Sequence, residues 1–370
     1  MSIRIRSARA YHLQAPLEHV VKTSFGAMTA RHAVFLVVGD NSGRRGLGES
    51  WVNFPAWAAW ERLAAFEEAI VPYMRGREIT DVPSFVTQLF NALRGPALQS
   101  GTVGPLLQAL CAVEMALWDL SAQAQNLPLN RLWFDQPAAR VRVYASGLSA
   151  PLPWKAIDEH REMGITLFKL KLGFGDAEDR RSLAELRRYL GEGADIAVDV
   201  NRGWTLAQAL EWMRILPDFD VQWVEEPLTV EEEGGLLELY EHRSLPISGA
   251  ENALLAPGCE VEALAAAPLD ILQPDMTKYC PVQSFLRLLP VARSRGKRVY
   301  PHFLGSAPGQ ALSLHLGSGC GPDAMVEMDV NPNPLRTALL RPACDIRNGM
   351  IEIPDRAGLG WEWSADDWPS

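Results

Sequence analysis

Seven places in the chain carry groups able to move protons or hold a cation, and they recur at nearly constant intervals. Lys169-Leu170-Lys171, Asp199-Val200-Asn201, Glu225-Glu226-Pro227, Glu251-Asn252, Pro274-Asp275, Pro301-His302 and Glu327 each close a short β-like run. From Lys171 the steps are 28, 26, 26, 24, 27 and 25 residues, one strand-plus-helix unit each. Asp199, Glu225 and Glu251 are three hard oxygen donors on adjacent strands, a set that suits Mg²⁺, with no soft ligand to favour zinc or copper. Lys169 and Lys171 stand two apart on a strand, so both point the same way. Their mutual repulsion beside a metal is expected to lower the proton affinity of one and ready it as a base. Asp275 and His302, on neighbouring strands, are expected to pair, which fixes the imidazole tautomer and makes His302 an acid or base near neutral pH. A Lys and a His facing each other across a carboxylate-bound cation suit removal of a proton α to a carboxylate. The intermediate then carries two charges on the carboxylate oxygens, which a divalent cation stabilises. One strand-end acid alone is as readily a helix cap; the shared register of seven is what argues for a site. His160 and His315 lie in helical texture and are assigned no role.

Such groups need a frame that brings seven strand ends together. β-like runs stand at 141–146, 166–172, 195–200, 221–225, 246–249, 270–272, 298–300 and 324–327. Helix-like stretches at 177–190, 206–216, 231–240, 282–294 and 308–316 lie between them. Eight strands at this spacing fit a (β/α)8-type barrel, whose C-terminal mouth holds the chemistry. A doubly wound sheet gives similar local signals. No glycine-rich dinucleotide fingerprint follows any strand; Gly173-Phe174-Gly175 lacks the third glycine. Upstream, strands are expected at 3–13, 33–38 and 46–51, with a turn at 39–43, and helices at 56–74, 81–93 and 105–123. The last is apolar on most sides and should be buried. Strands followed by helices give an α+β domain over about residues 1–130.

Composition agrees with a folded globular chain. Of 370 residues 48% are apolar and 22% charged, enough for a core, which excludes a disordered chain. The balance of 35 Lys+Arg against 45 Asp+Glu, formally −10, argues against nucleic-acid binding. The uncharged runs 95–113 and 299–322 are broken by Gly and Pro and are not apolar enough to suggest a membrane span. The N-terminus is basic without an apolar signal region. Five cysteines without metal-like pairing suggest reduced thiols and a cytoplasmic protein.

The motifs also have a family likeness. Ala109-Leu110-Cys111-Ala112-Val113-Glu114-Met115-Ala116-Leu117-Trp118-Asp119-Leu120, with Pro128-Leu129, forms a helix signature. Lys169-Leu170-Lys171 forms a KxK pair, and Asp199-Val200-Asn201, Trp223-Val224-Glu225-Glu226-Pro227 and Gly249-Ala250-Glu251-Asn252 are three acidic motifs. Pro274-Asp275 and Pro301-His302 supply a dyad, and Asn348-Gly349-Met350-Ile351-Glu352-Ile353-Pro354 with Gly358-Leu359-Gly360 a closing segment. Over essentially the whole chain these resemble the enolase superfamily, mandelate racemase subgroup. That superfamily's Lys or His base working with Mg²⁺ is established chemistry, not a deduction from spacing.

The resemblance implies a modified (β/α)7β TIM barrel, residues 131–339, under an N-terminal α+β capping domain, residues 1–130, which the segment 340–370 rejoins. It implies Mg²⁺ on Asp199, Glu225 and Glu251, with Lys171 and the Asp275–His302 pair as bases. Lys169 would neutralise the substrate carboxylate, and Glu327, protonated, would donate a hydrogen bond to it. Substrate choice would reside in a cap loop at 17–29, with Lys22 and Thr23, and in the following segment with Trp51 and Phe54; Asn201 would join them. The implied partner is a small carboxylate, and a homo-oligomer is expected. Dehydration of a sugar acid ranks first, and a racemase or epimerase of a 2-hydroxy acid second. A non-catalytic metal-binding homologue would lack the bases, which are present. Two features depart from the pattern. Tyr279 and Pro281 make the loop after Asp275 bulkier than the glycines of relatives, and Arg202 either reaches a distal substrate anion or pairs with a nearby acid.

Overall fold

The computed structural model describes the chain apart from Met1, Ser24, Phe25, Phe54, Pro342, Ala343, Ala365, Asp366, Asp367, Pro369 and Ser370, and apart from the side chains of Glu18, His19, Lys22 and Thr23. Near the N-terminus β1 (Ile3–Thr23), β2 (Gly26–Asp40), β3 (Arg45–Ser50) and β4 (Glu78–Ile79) form an antiparallel sheet in the order β3-β2-β1-β4. The β2–β3 turn is closed by Asp40, whose carboxylate accepts from the backbone N–H of Ser42 and Arg44 at 2.9 Å, while Gly43 takes φ +82°. The segment 17–29, expected as a loop, continues the ribbon. Val21 pairs with Met28, Lys22 with Ala27 and Thr23 with Gly26, past an irregularity between Pro16 and Val21. That irregularity breaks the alternation by which a strand is recognised. The stretch 56–74, expected as one helix, is Ala58–Ala65, a π-turn Phe66–Ile70 and Val71–Met74.

Strand β3 lies on the helix Val103–Gln125 at backbone contact. A Cβ on Gly48 would stand 1.9 Å from the Ala112 carbonyl oxygen, and one on Gly46 2.1 Å from that of Ala116. Gly48→Ala is therefore expected to lower stability by at least about 1–3 kcal/mol; an unchanged urea midpoint would refute so close an approach. The helix is long and apolar enough to cross a membrane by length and composition, yet 78% of its most apolar window is buried inside the protein. Its two acids tie other parts of the fold together. Asp119 accepts from Leu47 N at 3.0 Å and Leu359 N at 2.9 Å, and Glu114 from Gln283 N at 2.9 Å. Burial, opposed by these bonds, pushes Glu114 up to about 7 and Asp119 up to about 6. Both hold a proton more tightly folded than unfolded. Their contribution to stability is full below the ordinary carboxylate range and is lost as pH rises through about 6–7. Glu114→Gln should flatten the dependence of Tm on pH in that window; an unaltered slope would count against it.

Beyond the cap, β5 (Arg140–Leu148), β6 (Leu167–Lys171), β7 (Asp195–Asp199), β8 (Val221–Glu225), β9 (Ile247–Gly249), β10 (Ile271–Leu272), β11 (Arg298–Val299) and β12 (Met325–Asp329) pair in parallel, each with the next as far as β11. β12 pairs in parallel with β5. Strand order follows chain order and the last strand returns to the first, which excludes the doubly wound alternative. Helical segments separate the strands, so the architecture is the (β/α)7β barrel. β11 and β12 share no ladder pair among the described residues; the Phe303 N–H spans to Glu327 Oε2 at 3.3 Å. β13 (Ile346–Arg347) and β14 (Met350–Glu352) form a hairpin whose second strand pairs antiparallel with β5. Further on, the tail meets the cap, where Trp368 stands edge-on to Tyr11 at 5.3 Å.

Candidate active site

Within a single pleat the barrel interior changes from apolar to charged. Tyr144, Leu167, Ala197, Trp223, Ile271 and Tyr300 form one buried cluster, the floor. Two residues further along each of those chain segments stand Ser146, Lys169, Asp199, Glu225, Gln273 and His302, all buried. Lys171 lies one pleat higher; Glu251 follows β9, and Glu327 lies within β12. The turns leaving β7, β8 and β9 place non-glycine residues at positive φ: Asn201 at 46°, Arg202 at 60°, Glu226 at 40° and Ala250 at 95°. Such strain collects at functional sites.

The charges form one network. Lys169 Nζ lies 2.8 and 2.7 Å from the two Glu225 oxygens, 2.7 Å from Glu327 Oε1 and 3.7 Å from Asp199 Oδ2. Lys171 Nζ donates to Asp199 Oδ2 at 2.5 Å, and Lys278 Nζ to Glu251 Oε1 at 3.1 Å. His302 Nδ1 is 2.8 Å from Asp275 Oδ2, the expected pair. Its Nε2 lies 2.7 Å from Glu251 Oε2 and 3.5 Å from Glu327 Oε2.

Proton affinities follow from these distances. Burial disfavours the cation of Lys171, but Asp199, with Glu225 and Glu251, outweighs burial and Lys169 together, so its pKa is raised. The expected lowering by the neighbouring ammonium is therefore corrected: the surrounding carboxylates, Asp199 first among them, outweigh it. Lys169 is likewise held well above its ordinary value, burial being overcome by Glu225 and Glu327. Burial, then repulsion by Asp199, pushes Glu225 up to about 8. His302 is raised well above its ordinary value, with Glu251, Glu327 and Asp275 outweighing burial.

Above the network lies a cavity of about 300 Å³. Lys171, Asn201, Glu251 and His302 line its base; Val21, Met28 and Trp51 come from the cap and Leu304 from the barrel. Trp51, expected to contact substrate, is thus in place, with Lys278 Nζ 4.6 Å from its ring centre. The side chains of Lys22 and Thr23, and Phe54 entirely, lie outside the described residues; the described side chains of that hairpin that reach the cavity are apolar. Arg202 also lines the cavity, but its guanidinium pairs with Glu233 at 3.0 Å, the nearby acid.

Residues 6–133 match the family described as mandelate racemase / muconate lactonizing enzyme, N-terminal domain, and residues 155–368 match the enolase C-terminal domain-like family. The chain belongs to the enolase superfamily, in its mandelate racemase subgroup. Among similar enzymes are the L-talarate/galactarate dehydratase of Salmonella typhimurium, 29% identical over 90% of this chain and 81% of that one, and the D-galactarolactone cycloisomerase of Agrobacterium fabrum, 28% identical over 82% and 83%. A mandelate racemase/muconate lactonizing enzyme from Bordetella bronchiseptica superimposes with TM-score 0.87 at 31% identity, over 99% of this chain and 98% of that one. The L-talarate dehydratase of Polaromonas, solved with Mg and L-glucarate, gives 0.82 at 27% identity over 98% and 96%.

In this enolase-superfamily site the donor set fits a hard divalent cation. Glu225, Glu251 and His302 bring one ligand atom each within 4.8 Å of one another, and Asp199 adds a buried carboxylate bonded to Lys171. Six carboxyl groups (Asp199, Glu225, Glu226, Glu251, Asp275, Glu327) are buried here beside only three ammonium groups, of Lys169, Lys171 and Lys278. That imbalance is what a divalent ion removes. Four members of the site carry no role assigned from the sequence. Ser146 donates to Glu327 Oε1, Gln273 to Glu225 Oε2 at 2.7 Å, Lys278 to Glu251, and Glu226, pushed up to about 7 by burial and then by Glu251, accepts from Asn252 at 3.0 and 2.9 Å. The two-residue period from Tyr144 and Ile271 would have pointed to Ser146 and Gln273.

Proposed function

We propose that the chain removes the proton α to the carboxylate of a small acid, with Mg²⁺ held by Asp199, Glu225 and Glu251, and that it dehydrates a sugar acid, an aldonate or aldarate, to a 2-keto-3-deoxy acid. The observation that carries this reading is that Lys171 and the Asp275-bound His302 reach one cavity from strands on either side of the three that bear the carboxylates. Bound there, Mg²⁺ supplies positive charge to the dianion left by deprotonation and offsets the Asp199 charge that holds a proton on Lys171. Lys171 Nζ takes the α-proton. The electron pair left behind forms the C2–C3 double bond as the C3 hydroxyl departs, and His302 Nε2 gives that hydroxyl its proton. Water leaves and the enol becomes the ketone. Lys169 neutralises the substrate carboxylate, and Glu327, steadied by Ser146, donates to it. Asn201 and Trp51 hold the remainder, with Lys22, Thr23 and Phe54 assigned to the lid.

The sugar-acid dehydratases among the relatives support this substrate class. Incubation with a panel of sugar acids in D2O tests it: 2-keto product is the expected outcome. Exchange at Cα without keto product supports the second reading, a racemase or epimerase, which the apolar wall of Val21, Met28, Trp51 and Leu304 favours. Neither exchange nor product with any 2-hydroxy acid would sink both. Five free thiols fit a cytoplasmic setting.

A further inference from the structure

The end of β3 and the residues after it cross from the cap to the barrel on alternate positions. Glu49, 3% exposed, accepts from Ser306 N with Oε1 and from Gly309 N with Oε2, both at 2.8 Å. Trp51 N donates to Thr277 O at 2.9 Å, and Asn53 Nδ2 donates to Leu304 O. The partners of these bonds all lead to one place. Thr277 donates to Asp275 Oδ1 through both its N–H and its hydroxyl, each at 2.7 Å, leaving Oδ2 for His302. Leu304, Ser306 and Gly309 follow His302 within seven residues.

We propose that Glu49, Trp51 and Asn53 form a positioning strand through which the capping domain fixes both loops that present the Asp275–His302 pair. The proposal rests on the reading of His302 as a proton-transfer group. Two backbone N–H bonds to one buried carboxylate are charge-assisted and aim at the first turn of the helix Ala307–Gly317, where a negative charge is favoured. The loop packs closely against Glu49 and the Phe303 ring. A Cβ on Gly305 would stand 2.9 Å from Glu49 Oε1 and 2.5 Å from Phe303 Cζ, and one on Gly309 2.3 Å from the same ring.

The experiment uses full-length protein with Mg²⁺ and ¹⁵N-labelled histidine, with the His302 ring signals assigned by their loss in His302→Asn. In the wild type the Nδ1 proton shared with Asp275 should resonate far downfield. Glu49→Gln and, separately, Asn53→Ala should shift or broaden it. Glu114→Gln, which weakens another buried cap-to-barrel bond, should leave it unchanged. With an acid turned over in the panel, proton transfer through His302 should slow about 10–100-fold in Glu49→Gln, while α-proton exchange through Lys171 stays within about twofold. An unmoved His302 signal in both variants, or equal slowing of both proton transfers, overturns the proposal. If Glu49→Gln does not fold, the Asn53→Ala spectrum decides. If His302→Asn itself leaves turnover intact, the proton-transfer reading fails, while the spectra still judge the positioning.

Discussion

Asp275→Asn should lower kcat by up to about 10⁴-fold. An orienting carboxylate replaced by its amide permits the wrong imidazole tautomer, and losses of that order follow. Here Asp275 Oδ2 accepts from His302 Nδ1 at 2.8 Å, which leaves Nε2, beside Glu251 Oε2 at 2.7 Å, as the nitrogen for proton transfer. The pH profile carries independent information. The His302 pKa is raised, because Glu251, Glu327 and Asp275 outweigh burial. As an acid to a departing hydroxyl it should keep kcat high on the acid side and let it fall as pH rises through the raised value. An amide at 275 removes one raising partner, so the alkaline limb should move to lower pH. A normal kcat with an unshifted limb in Asp275→Asn would show that the pair is structural.

Removal of the cation, or of one of its ligands, is the second large effect. EDTA should abolish turnover and Mg²⁺ restore it. Glu225→Gln should cost at least about 10²–10³ in kcat, since a pre-organised charge is lost from the developing dianion. It should also weaken Mg²⁺ binding measured by calorimetry on the resting enzyme. Glu225 is suited to this test because Lys169 and Gln273 contact it at 2.7 Å and would keep a glutamine in place. Unchanged metal affinity and full activity in Glu225→Gln would remove Glu225 from the ligand set.

The barrel was legible because its signal repeats. Each strand is short, apolar and followed by one polar group, and the interval admits one helix. The helix Trp154–Glu162 left less trace, since it buries only Ile157 and has no apolar stripe. The site was legible wherever a charged side chain closed a strand. Ser146 and Gln273 were not, because a neutral residue at a strand end is unremarkable until the strand's inward phase is known. The raised proton affinity of Lys171 lay beyond the sequence for another reason. Two lysines in one line of text suggest repulsion, and only the fold puts Asp199 at 2.5 Å. The lid was hidden by an irregularity in its own ribbon.

The single pleat that separates floor from mouth also governs which lengths of chain are free to vary. Steps between strand ends already range from 24 to 28 residues, so insertions on the helical side are absorbed in loops. The distance from Leu167 to Lys169, from Ala197 to Asp199 or from Trp223 to Glu225 has no such tolerance. A slip of one residue along β6 would turn Lys169 and Lys171 towards the surrounding helices and Leu170 inward. Gene duplication followed by drift can therefore lengthen, shorten or replace what lies outside the barrel wall. Within the wall it can change only the identity of a side chain, never its count, and new chemistry at the strand ends must come from exchanging residues in place.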